Sequence, residues 1–113
     1  MKRKILIIFL FLLGINLYAE KKIYNSITVY AVDENSFFRN PIKKDNIVKY
    51  YLWKVESRFC YFDIEKISKF AEKDNYEGQI HVRIDFEENG KITTLVFYSF
   101  SEIQLELKQI LPF

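Results

Sequence analysis

Four side chains of this 113-residue sequence could carry chemistry together. His81, Arg83 and Asp85 recur at every second position, so in a strand they share one face, and Tyr98 joins them if the chain returns alongside. Such a face could orient a carboxylate or phosphate through Arg83, with His81 as acid or base. The plainer account is a sheet face turned to water, where alternating polar residues are ordinary. We favour it, because His81 is the chain's one histidine and no nucleophile lies near it in sequence.

Other chemistries fare worse. Glu87 and Glu88 look like paired carboxylates, but neighbours in a strand point to opposite faces and cannot flank one glycosidic bond. Cys60 is the sole cysteine, which excludes an internal disulfide and a cysteine zinc cage; Phe59, Tyr61 and Phe62 around it favour burial. No nucleophile elbow, phosphate loop, dinucleotide fingerprint, zinc-protease helix or calcium loop occurs. No catalytic residue, metal or cofactor is expected.

Binding signals are aromatic. Phe37, Phe38 and Arg39 sit in a polar stretch, where they could anchor a partner or fold back onto the core. Tyr50, Tyr51 and Trp53 would lie on both sides of one helix and cannot all be core, so some exposed aromatic surface is expected. The candidate binding residues are therefore Phe37, Phe38, Arg39, Trp53, His81, Arg83 and Tyr98.

The element that positions most of them is the clearest in the chain. Ile80, Val82, Ile84 and Phe86 alternate with polar residues, and Asn89-Gly90 follows, a pair suited to a two-residue turn with positive φ at both positions. That turn sets the register of the return strand 91–100. Glu88 faces Lys91, Phe86 faces Thr93, Ile84 faces Leu95, Val82 faces Phe97 and Ile80 faces Ser99 on the core side. Asp85 with Thr94, Arg83 with Val96, His81 with Tyr98 and Gln79 with Phe100 make the opposite side.

Elsewhere the patterns predict a strand over 26–32, rich in β-branched residues, then a polar loop over 33–44 with Asn40-Pro41 as its turn. Asp45 caps an expected helix with Val48, Tyr51, Leu52, Val55 and Phe59 inward, although Val48, Tyr50 and Leu52 also fit strand spacing. Asp63 caps a second helix over 64–73, and Ser101 a third over 102–111, stopped by Pro112.

The run Gly78, Ile80, Val82, Ile84, Phe86, Asn89-Gly90 and Ile92 resembles the central hairpin of the TonB C-terminal domain family. Ala71 before Gly78, Ser99 ahead of a helical stretch, and Leu111-Pro112-Phe113 fit the same pattern, which covers roughly 67–113. The family's final strand, membrane anchor and proline-rich spacer are missing. The resemblance implies a protein that binds a short segment of another protein by sheet-edge pairing.

At the N-terminus, Met1-Lys2-Arg3-Lys4 precedes the unbroken apolar run Ile5–Leu13 and a small residue, Ala19. This is the layout of a secretory signal peptide over 1–19, leaving a single domain over 20–113. About fifteen apolar positions fall short of the roughly 20 a spanning helix needs. Without Lys2, Arg3 and Lys4, the net charge of +2 becomes −1, from 14 Lys+Arg against 15 Asp+Glu. That removes the case for nucleic-acid binding.

The sequence thus predicts an α+β domain with a three-stranded antiparallel sheet, built on the Asn-Gly hairpin, and about three helices. It is expected in the periplasm or outside the cell, with no membrane span after cleavage. The expected function is non-enzymatic binding of another protein. The alternatives are an immunity or inhibitor protein against a toxin or hydrolase, and a small-molecule binder or enzyme using the polar hairpin face.

Overall fold

The computed structural model describes residues 21–108. The expected signal segment and the end of the last expected helix lie outside them. Four strands are present: β1 (Lys21–Ala31), β2 (Trp53–Asp63), β3 (Val82–Glu88) and β4 (Lys91–Phe97). They form one antiparallel sheet in the order β2-β1-β3-β4. The helices are short: α1 (Glu34–Arg39), α2 (Ile47–Tyr50), α3 (Glu65–Ser68) and α4 (Gln104–Leu107). The expectation of a three-stranded sheet packed with about three helices is therefore corrected to a four-stranded sheet with only small helices.

The extra strand is β2, where a helix was expected over 45–59. Only Ile47–Tyr50 is helical. From Trp53 onward, half-buried Trp53, Val55 and Ser57 alternate with exposed Lys54, Glu56 and Arg58, a period of two. A helical stripe through Val55 and Phe59 could be drawn, but ten residue pairs with β1 hold the segment in the sheet instead. Asp45 does not cap α2; Asn46 stands there, its Oδ1 accepting from the Lys43 N–H at 2.6 Å and its Nδ2 donating to the Pro41 carbonyl at 3.0 Å. The loop expected over 33–44 contains α1.

The hairpin follows its turn chemistry. Asn89 and Gly90 have φ of 51° and 85°, and Glu88–Lys91, Phe86–Thr93, Ile84–Leu95 and Val82–Phe97 pair as the turn dictates. Gly90→Ala is expected to cost about 1–2 kcal/mol through backbone strain alone. Nothing lies within 4 Å of the added methyl. Urea unfolding checks this, and no loss would mean that the turn relaxes.

One member of the expected core face departs. Val82, Ile84 and Phe86 pack in the main core with Ile27, Val29, Phe62 and Phe97, whereas Ile80 belongs to a second cluster with Val32, Ile42, Ile47 and Val96. Ile80 precedes β3 and donates its N–H to the Ile42 carbonyl, so it follows the 40s loop rather than the strand.

Strands β1 and β2 turn over together. Ile27 and Val29 are buried at odd positions of β1, yet Tyr24 is buried at an even one; in β2 the inward residues change from Val55 to Phe62. The change falls at Asn25 and Phe59, where Phe59 has a left-handed φ of 55°. Since both strands invert at the same step, the pairing register continues unbroken on either side. Asn25 also accepts the Asn89 N–H at 2.6 Å, tying this step to the hairpin turn. Tyr24 then lies against Phe86, and burial, with Glu88, Asp63 and Glu65 nearby, raises its phenol pKa.

Candidate functional site

The outer sheet face carries the polar residues of the hairpin. Arg83 and Asp85 meet through Nε–Oδ1 at 3.0 Å and a second contact at 3.3 Å, with side chains 21% and 17% exposed. Arg83 also donates to the Lys44 carbonyl at 2.9 Å and lies over the Tyr30 ring at 6.0 Å. Thr94 donates to Asp85 at 2.8 Å. These groups satisfy one another, so Arg83 ties the 40s loop to the sheet instead of presenting its donors to an anion.

His81 is not part of that cluster. Its ring stands edge-on to Tyr98 at 5.9 Å, and a ring nitrogen contacts the Tyr98 carbonyl. It lines a cleft of ≈ 270 Å³ with Val32, Asp33, Ser99, Phe100 and Ser101, which neither Arg83 nor Asp85 reaches. The four residues that could have shared chemistry are thus split between two places. A larger cleft of ≈ 420 Å³ is lined by Lys43, Lys44, Asp45, Asp74, Asn75, Tyr76 and Glu77, of mixed charge. Among the described residues, no three His, Cys, Asp or Glu side chains gather as a metal site.

The aromatic candidates also divide. Phe38 is 76% exposed in α1 and Arg39 is exposed beside it; the backbone of Phe37 belongs to the same helix. Trp53 is half-buried, packed edge-on against Phe100 at 5.8 Å, and serves the core margin. Tyr98 is exposed. Cys60 packs at the edge of the core, where burial raises its thiol pKa against the lowering effect of a Ser57 hydrogen bond. A thiol so held is a poor nucleophile at neutral pH.

A stronger surface lies where α2 ends. Tyr50, Tyr51 and Leu52 are consecutive and exposed, Leu52 at 69%, with Val48 exposed one helical step earlier. Tyr51 leaves the helix with an extended ψ of 130°, and the Leu52 N–H donates to the Ala31 carbonyl at 2.8 Å, so the corner is pinned to β1. Tyr51 packs edge-on against Tyr30 at 5.9 Å, and the Lys54 ammonium lies 5.5 Å from the Tyr30 ring centroid. The helix expected over 45–59 would put Tyr51 and Leu52 on its buried side, which the structure corrects. The strand spacing of Val48, Tyr50 and Leu52 was the signal that could have corrected it.

This corner runs into the outer edge of the sheet. The Val32 N–H donates to the His81 carbonyl at 3.0 Å, extending the β1–β3 ladder in which even residues of β1 face β3. Odd residues of β1 therefore bond to β2, and in β2 these are Trp53, Val55 and Ser57. The peptide groups of Lys54, Glu56 and Arg58 consequently point outward, where no strand lies among the described residues.

Comparison with protein-family models, curated proteins and solved structures finds no match.

Proposed function

We propose that this chain is an exported, non-enzymatic protein-binding module that engages its partner through the Tyr50–Leu52 corner and the adjoining edge of β2. The observation that carries it is the corner itself: consecutive large apolar side chains held outward by a backbone bond to β1. Pre-ordered aromatic surface suits recognition, because little conformational freedom is lost on binding. An exposed strand edge adds main-chain hydrogen bonds, the mode that the TonB resemblance implies. Export rests on the basic start and apolar run before Ala19. No helix among the described residues is long and apolar enough to cross a membrane.

Immobilised protein and its Tyr51→Ser/Leu52→Ser variant, each challenged with envelope extract, test the proposal. The variant is expected to retain at most roughly a tenth of the specific capture, the size of a lost anchor residue. Its circular dichroism should match the parent. Equal capture by both would remove the corner from the binding surface.

A further inference from the structure

We infer that the partner at this surface is a second copy of the chain, joined edge to edge and antiparallel through β2 about a twofold axis at Val55. The inference rests on the binding reading above and names its occupant. Its first support is the direction of the peptide groups. Lys54, Glu56 and Arg58 offer outward donors and acceptors on an eleven-residue strand, the pattern that pairs with another strand.

The side chains then select the register. An axis at Val55 sets Lys54 of each copy opposite Glu56 of the other, giving two opposite-charge cross-strand pairs on one face. An axis at Glu56 would set that carboxylate against itself and Lys54 against Arg58, with every charged pair repulsive. An axis at Ser57 restores complementary pairs, Glu56 with Arg58, but brings Phe59 into the ladder opposite Val55. The left-handed backbone of Phe59, at φ 55°, cannot continue a regular ladder. Val55 is the axis that combines opposite charges with extended backbone.

The same register covers the exposed apolar ends of the strand. Beyond the regular ladder, exposed Tyr51 and Leu52 of one copy come toward Phe59 of the other, which is 76% exposed in the single chain. Little stands in the way. Among the described residues, Glu56 is engaged by Arg58 at 3.4 Å in an exposed ion pair and Lys54 lies over the Tyr30 ring at 5.5 Å, surface contacts that exchange partners at small cost. An isologous pairing of this kind closes on itself, giving an eight-stranded sheet with β4 at each end and no further growth through β2.

Sedimentation equilibrium of the purified protein tests this. The parent is expected at twice the chain mass at micromolar to tens-of-micromolar concentration, and Glu56→Lys is expected to weaken association at least roughly tenfold, since both pairs become repulsive. Lys54→Glu combined with Glu56→Lys should restore the dimer, because the swapped charges again oppose. Arg58→Glu should leave it intact, whereas an axis at Ser57 would make that change disruptive. Circular dichroism confirms folding in each case. A monomeric parent, or a double variant that stays monomeric, overturns self-pairing. If the parent is monomeric yet the Tyr51→Ser/Leu52→Ser variant still loses capture of another protein, self-pairing falls while the binding surface stands. If capture is unaffected as well, both fall.

Discussion

Phe86→Ala lowers the free energy of unfolding by about 3–5 kcal/mol, the range for removing a fully buried aromatic ring. Phe86 has no exposed surface and stands at the middle of the main core. Its ring stacks on Phe62 of β2 at 5.8 Å and meets Tyr24 of β1 at 5.2 Å in a tilted contact. Three strands therefore share one side chain. Tyr24 and Phe62 lie beyond the step at which β1 and β2 turn over, so Phe86 is also what that inverted end packs against. Phe86→Leu, closer in volume, is expected to cost less than about 1.5 kcal/mol. Urea titration followed by tyrosine and tryptophan fluorescence separates the two. A loss below about 1 kcal/mol for the alanine variant would mean that the core closes over the vacated space.

Arg83→Met is the second large effect, about 1.5–3 kcal/mol. The substitution keeps an apolar stem over Tyr30 but removes every donor. Asp85 and the Lys44 carbonyl then lose partners within a half-buried layer, and an unsatisfied charged group costs more than the bond itself contributed. Partial exposure of both side chains keeps the figure below that of a fully buried pair. Asp85→Ala, made in the Arg83→Met background, is expected to cost less than in the parent, because its charge partner is already gone. Equal costs in both backgrounds would show that the pair is not coupled.

These two residues also show what could be read from the amino-acid order. The β3–β4 hairpin was legible because its turn, alternation and register are local: Asn89 and Gly90 take positive φ, and every facing pair from Glu88 to Phe97 follows. Strand β1 was legible in type but not in extent, since its first residues are polar and acquire strand geometry by pairing with residues 60–63. Segment 53–63 was missed for a physical reason. Its apolar residues fit both periods, and the long-range need of β1 for a second neighbour decided between them.

The candidate site fared similarly. The alternation of Arg83 and Asp85 placed them on one face, yet nothing local revealed that the Lys44 carbonyl would occupy the arginine. His81 left the face because Ile80 follows the 40s loop, a contact between residues nearly forty positions apart. The exposed aromatic surface was expected in kind, but its location at Tyr50–Leu52 depends on where α2 stops.

The central place of β1 has a kinetic consequence. The first strand of the described chain lies between β2 and β3, so its pairing with β3 joins residues from Ser26 to Glu87. Closing so long a loop is entropically costly, and such topologies fold slowly. The hairpin β3–β4 can form on its own, but the sheet cannot assemble until almost the whole chain has emerged. A polypeptide built this way stays open along most of its length until its synthesis is nearly complete.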